Sequence, residues 1–204
     1  MKSIITHLKL GVLVVLLTSL LLPACGAPSP TSTAKPIHTP SPTLTAKPKK
    51  TPVPTQEWDW FNMELTDAVT GETFTMNDYA GKVVLVETMA MWCPNCLVQA
   101  GEVRKLHELL GNPEDLISVS LDVDLNEDDA SLKQYVEEYG FEWHFAVAPL
   151  EVARSLGNLY TAQYLNPPLS PMLVIDRDGN VHHLEYGRKT AETLRKVVEP
   201  FLTP

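Results

Sequence analysis

Two cysteines three positions apart, Cys93 and Cys96, enclose Pro94 and Asn95. Thiols at this spacing can close a small disulfide ring and open it again, so the pair is a candidate redox couple. A zinc site would normally draw ligands from a second pair, and Cys25 is the only other cysteine in the 204 residues. An apolar run, Val83-Val84-Leu85-Val86, leads into Glu87, six residues ahead of Cys93. Burial at the end of such a run would raise the carboxyl pKa and suit Glu87 to exchanging a proton with Cys96, through water. A strand-end carboxylate turned to solvent would have no such use. Trp92, beside Cys93, either covers the site or packs in the core.

The hydrophobic pattern predicts the elements that must hold these groups. Residues 83–89 are nearly continuously apolar, as in a central strand covered on both faces. From Cys93 the spacing turns helical through Cys96, Ala100, Val103, Leu106 and Leu110, with Gly111 as the stop. A helix starting at Cys93 aims its unpaired N–H groups and the positive end of its dipole at that sulfur, favouring the thiolate. Cys93 is then the attacking residue, and Cys96, one turn in on the apolar stripe, the buried thiol that resolves the mixed disulfide. Pro94 suits the first turn, where its missing N–H costs nothing. Asn95 is neutral and adds less to thiolate stability than a cationic side chain would, which implies an intermediate reduction potential.

Further strands are predicted over 116–121, 143–148, 171–176 and 181–186, with helices over 130–139, 150–160 and 191–202. Thr190 is placed to cap the last helix, whose Glu192 and Glu199 share an exposed side. The aromatic-rich stretch 58–65 and residues 72–76 read as a hairpin around Gly71. Strands alternating with helices give a mixed α/β sandwich.

Ahead of that domain lie two different segments. Residues 1–24 carry Lys2 and Lys9 before an apolar run too short for a comfortable membrane span, as in a secretory signal. Leu22-Pro23-Ala24-Cys25 resembles the lipobox of bacterial lipoproteins, in which the signal is cut before the cysteine and that cysteine carries lipid; Pro23 is unusual at its position. The alternative is an uncleaved anchor with Cys25 as a free thiol. The rest of 25–56 is Pro, Thr, Ser, Ala and Lys, too poor in apolar residues to offset the entropy of ordering, and reads as a disordered stalk. The domain itself spans 57–204. Six of the 16 basic residues precede Glu57, leaving 10 against all 25 acidic ones, a net charge of −15 in the domain. Such a balance excludes nucleic acid as a natural partner.

The stretch from Phe61 to Leu202 resembles the thioredoxin fold, and within it the TlpA/ResA-like branch of membrane-tethered extracytoplasmic thiol–disulfide oxidoreductases. The residues that carry the likeness are Phe61 and Leu65, Gly71, Thr73, Gly81-Lys82-Val83-Val84-Leu85-Val86, Trp92-Cys93-Pro94-Asn95-Cys96 and Val174-Ile175-Asp176-Arg177-Asp178-Gly179. The resemblance implies an N-terminal hairpin extension and a central insertion at 122–148. It also implies a cis peptide bond at Ser170–Pro171 facing the dithiol, with Pro168 as a nearby competitor. It implies no cofactor and no metal. Cysteine-containing exported proteins and a membrane thiol–disulfide relay would be the partners, and a lipid-anchored monomer the expected form. Apocytochrome c maturation and thiol repair are the roles it suggests. Metal chelation is not favoured by the histidines either, since adjacent His182 and His183 point to opposite faces of a strand. A thiol peroxidase of the peroxiredoxin kind would need Pro-x-x-x-Thr-x-x-Cys, and a copper carrier Cys-x-x-x-Cys; neither pattern stands here.

Overall fold

The computed structural model describes residues 59–202. The expected signal segment, Cys25, the stalk and Trp58 lie outside the described residues. In chain order the elements are β1 (Leu65–Thr66), β2 (Thr73–Phe74), β3 (Val83–Met89), α1 (Pro94–Leu110), β4 (Leu116–Asp122), α2 (Asp129–Tyr139), β5 (His144–Val147), α3 (Leu150–Leu159), β6 (Met172–Ile175), β7 (Val181–His183) and α4 (Ala191–Leu202). β1 and β2 form a short antiparallel hairpin, and the other strands form one sheet in the order β5-β4-β3-β6-β7. β3 runs parallel to β4, and β4 to β5, whereas β6 is antiparallel to both β3 and β7.

β3 is the middle strand, and all seven of its residues are buried. Its alternate side chains enter two cores, as the period of two in a strand requires. Val84 and Val86 join Val119 and Leu121 in a core closed by Trp60, Phe61, Val152 and Leu156. Val83 and Leu85 pack on the other face against Val103 and Leu106 of α1 and Leu194 and Val198 of α4. Toward the end of β3, Met89 packs with Cys96, Ala100, Leu132 and Val136, which brings α1 and α2 together over the sheet.

Local chemistry sets the helix ends. Gly111 and Gly140 follow α1 and α2 in the left-handed conformation, with φ of 71° and 64°. Asp128 caps α2 by accepting from the Ser131 amide at 2.8 Å, and Thr190 caps α4 by accepting from the Thr193 amide at 3.2 Å. Arg195 bridges Glu192 and Glu199 on the exposed side of α4.

The strand expected over 58–65 is instead a 3₁₀ turn, Asp59–Asn62, followed by the two-residue β1. The aromatic residues there serve burial rather than alternation. Trp60 is fully buried, donates its indole N–H to the Tyr160 hydroxyl at 2.9 Å, and meets Phe61 edge-on. The hairpin extension is therefore present but short. Asp67 anchors it to β5, taking the Val69 and Thr70 amides on one oxygen and the His144 ring on the other at 2.9 Å. Ahead of β6 the chain makes two 3₁₀ turns, Ala162–Leu165 and Pro167–Leu169. The insertion 122–148 supplies α2 and the edge strand β5. No helix among the described residues is long and apolar enough to cross a membrane.

Two leucines separate core from surface. Leu121 is fully buried in β4, whereas Leu125 in the next loop is 65% exposed. Leu121→Ala should lower the unfolding free energy by about 3 kcal/mol, as large-to-small core substitutions do. Leu125→Ala should stay within about 0.5 kcal/mol of the parent. Urea denaturation followed by circular dichroism measures both, and equal losses would contradict this packing.

Candidate active site

Cys93 caps α1. Its backbone is extended (φ −86°, ψ 109°), Pro94 takes the first helical position, and Sγ accepts from the Cys96 amide at 3.2 Å. The sulfur thus sits where the helix presents unpaired donors, the arrangement that favours a thiolate. Cys93 and Cys96 are joined as a disulfide with their Cα atoms 5.3 Å apart. The two residues are nearly fully buried, while Trp92 and Pro94 beside them are exposed.

Two loops grip the dithiol from either side. On one side the acidic loop after β4 reaches the turn before Cys93. Asp124 accepts the Trp92 indole N–H at 2.7 Å, and Glu127 accepts the Met91 amide at 2.8 Å. Trp92 is therefore tethered at the surface, 56% exposed, and is not a core residue. On the other side the Pro167–Leu169 turn faces α1. Asn95 donates to the Pro168 carbonyl at 3.0 Å, and the Pro167 carbonyl lies 3.4 Å from Cys96 Sγ, ready to accept a thiol proton in the reduced protein. A shallow groove of about 400 Å³ runs from Met91–Pro94 and Leu97 along Ser131, Gln134, Glu138 and Tyr139 of α2.

Ser170 and Pro171 lie at the root of the second loop, but not as expected. No cis peptide bond occurs among the described residues, so Ser170–Pro171 is trans. Ser170 itself turns the chain, taking the left-handed conformation (φ 46°, ψ 58°) that would otherwise call for glycine. The Pro171 carbonyl then accepts the Thr88 amide at 3.1 Å and enters β6 alongside β3.

Glu87 lies under α1, in register between Ser120 of β4 and Met172 of β6. It is 4% exposed, and burial pushes its pKa up to about 7 against the opposing pull of the Ser120 hydroxyl and the Lys189 charge. The Ser120 hydroxyl donates to the carboxyl and accepts the Trp143 indole N–H at 2.9 Å. No hydrogen bond joins Glu87 to Cys96 among those described. The small cavity beside Glu87, lined by Ser118, Ser120, Val103 and Trp143, has no room for a water molecule.

Two further ionisable groups lie beside the site. Asp122, fully buried at the end of β4, is raised well above the usual carboxylate range by burial and by Glu127, which also holds the Met91 amide. Lys189 is almost fully buried and is drawn down to about 8 by that burial. An apolar neighbourhood would have flagged Asp122, at the end of the 116–121 strand, but Lys189 stands in a polar stretch whose burial is purely tertiary. Among the described residues no cluster of His, Cys, Asp and Glu could hold a metal ion. His182 and His183 do lie apart, on Asp176 and Tyr164 respectively.

Known proteins share this fold. The profile of the Redoxin family matches residues 42–199. The thiol–disulfide oxidoreductase ResA of Bacillus thuringiensis is 26% identical over 133 residues, covering 65% of this chain and 70% of that protein. A thiol:disulfide interchange protein of the thioredoxin family from Chlorobium tepidum superposes with a TM-score of 0.56 at 19% identity, covering 69% of this chain and 93% of that one. A SCO1/SenC family lipoprotein from Bacillus anthracis does so with a TM-score of 0.55 at 18% identity, over 69% of this chain and 93% of that one. The two structures attest the fold. With the profile spanning most of the sequence, the chain belongs to the Redoxin family, as a TlpA/ResA-like thiol–disulfide oxidoreductase of the thioredoxin superfamily.

Proposed function

We propose that this oxidoreductase works outside the cytoplasm, tethered by lipid on Cys25, and exchanges its Cys93–Cys96 disulfide with cysteines of exported proteins. The observation that carries the reading is the closed dithiol at the head of α1, flanked by a groove and facing the Pro167–Pro171 loop. In the reduced protein Cys93 Sγ attacks a partner's disulfide, forming a mixed disulfide and releasing the partner's other sulfur as a thiolate. Cys96 then attacks Cys93, the Cys93–Cys96 bond forms, and the partner's sulfur leaves with the electron pair. Glu87 takes the Cys96 proton in that step. The proton passes through water in this reading. Trp92 and Asn95 hold the walls on either side of the dithiol, and Ser170 and Pro171 support the loop that faces it. The partners we favour are apocytochromes c or damaged thiol proteins, recharged through a membrane thiol–disulfide relay. The lipoprotein among the similar structures supports the anchor.

Cys96→Ser should trap partners on Cys93 as mixed disulfides that dithiothreitol releases, and Cys93→Ser should trap none. Non-reducing gels of cells expressing each variant decide it; equal trapping by both would reverse the assigned roles. For the anchor, mass spectrometry of the mature N-terminus should find a diacylated Cys25. An unmodified Cys25 in a membrane-free protein would remove that part of the proposal.

The raised pKa of Glu87 also predicts a stability profile. Between about pH 4.5 and about pH 7 the folded chain keeps a proton on Glu87 that the unfolded chain has released. Its stabilising contribution is thus complete below the lower value and lost as pH rises through the upper one. Glu87→Gln, which keeps the shape without the charge, should gain stability relative to the parent across that window, by about 1–3 kcal/mol at pH 8. Urea midpoints at pH 5 and pH 8 test it, and a difference that does not change with pH would show that Glu87 is not the buried acid described.

A further inference from the structure

Four aromatic rings near the loop before β6 take no part in the redox chemistry. Tyr160 and Tyr164 precede the Pro167–Leu169 turn, His183 ends β7, and Tyr186 follows it. With Leu184 and Glu185 they line a cavity of about 190 Å³. Neighbouring rings stand at steep angles, 57° for Tyr160 with Tyr164, 66° for Tyr160 with His183 and 69° for Tyr164 with Tyr186. Rings at such angles wall a space, whereas stacked rings would fill it. Tyr164 is buried and Tyr186 is 42% exposed, so the cavity runs from the interior to the surface. The Tyr186 hydroxyl is tied to Thr161 Oγ1 at 3.0 Å.

Hydrogen bonds decide the character of these walls. The Tyr164 hydroxyl donates to the Met172 carbonyl at 3.0 Å, so at 2.7 Å it accepts from His183 Nδ1. That tautomer leaves Nε2 of a neutral His183 as an acceptor, and burial holds the ring below the ordinary histidine pKa. The cavity thus combines aromatic faces, a ring lone pair and the Glu185 carboxylate, and no lysine or arginine lines it. Aromatic faces and a carboxylate both attract cations. Sites for cofactors run to about 300–1,000 Å³, so this cavity is on the scale of a single side chain.

Its position points to the source of that side chain. The Gly187 amide donates to the Leu169 carbonyl at 2.7 Å, and Tyr164 holds Met172 at the start of β6. Both walls are therefore fastened to the loop whose Pro167 carbonyl lies 3.4 Å from Cys96 Sγ. A partner bound at Cys93 and lying over this loop would carry its neighbouring side chains toward the cavity. We propose that the Tyr160–Tyr164–His183–Tyr186 cavity is a specificity subsite for a basic side chain, lysine or arginine, that the redox partner carries near its reactive cysteine. The inference rests on exchange with protein cysteines and adds to it a preference for basic sequences, in keeping with the net charge of −15 on the domain.

The test uses the reduced full-length chain in detergent micelles and two disulfide peptides that differ only in lysine against norleucine. Acid quenching and chromatography read the single-turnover rates. The lysine peptide should be reduced roughly three- to tenfold faster. Tyr186→Ala and Glu185→Gln should bring that ratio close to one. Glu151→Gln, which removes the same charge from an exposed position on α3, should keep it. A ratio of one in the parent, or one that survives both cavity variants, overturns the proposal. An independent reading comes from NMR of the Tyr186 and His183 rings, which should shift with n-butylammonium and not with butanol. Ring shifts without any preference between the peptides would make a free or lipid-borne cation the occupant and overturn the assignment to the partner. If neither peptide is reduced, the exchange reading fails by itself, and the ring shifts alone uphold or overturn the cation subsite.

Discussion

An ionised carboxyl group cannot be left unaccompanied inside a protein, because the solvation lost exceeds what any neutral contact returns. β3 imposes that condition, since all seven of its residues are buried and one of them is Glu87. Much of the polar structure around the sheet answers to it. On the α1 side β4 presents Ser118, Ser120 and Asp122 at alternate positions, where a central parallel strand would ordinarily carry aliphatic residues. Ser120 serves Glu87 and Trp143, Ser118 meets the ring of His107 at 2.8 Å, and Asp122 accepts the Asp124 amide at 3.0 Å. The interior charge of Lys189 belongs to the same set.

The dithiol stands at the carboxyl end of β3, where strand crossovers in α/β sheets leave a crevice for ligands. Three separate connections converge there: the turn from β3 into α1, the loop from β4 into α2, and the approach to β6. Each contributes hydrogen bonds rather than covalent ties, through Met91 and Trp92 on one side and Asn95 on the other. A site assembled this way can part on one side to admit a partner's backbone while the other side keeps Cys93 at the head of its helix.

Much of this arrangement was legible in the sequence, and the parts that were not share a cause. β3, α1 and their junction follow from an apolar run, a helical stripe and a proline in the first turn, so Cys93, Cys96 and a buried Glu87 could be placed without coordinates. Residues 59–62 misled because aromatic density signals burial as readily as it signals a strand, and Trp60 is buried from within a turn. Ser170–Pro171 misled because a trans bond after a left-handed residue redirects the chain in place of a cis bond, and no local pattern separates the two. Lys189 was invisible for a plainer reason. Its burial depends on Gln99, ninety residues earlier, and no spacing rule reaches that far.

The surface charge raises a question that the same geometry answers. A domain with ten basic and 25 acidic residues repels anions, and two of its carboxylates sit against the residues just before Cys93. Nearby anions disfavour a thiolate. The helix N-terminus favours it, and it acts over the first turn through N–H groups that touch the sulfur, such as that of Cys96 at 3.2 Å. Asp124 and Glu127 spend their lone pairs on Trp92 and Met91, and Asp124 is open to solvent, where water and salt weaken its reach. Stabilisation of the nucleophile is therefore short-ranged and belongs to the backbone, and the long-range field of the domain is free to serve other ends. With Asn95 adding no charge of its own, the balance at Cys93 is set by how firmly α1 begins at that residue, which returns the chemistry to Pro94 and to the buried strand that delivers it.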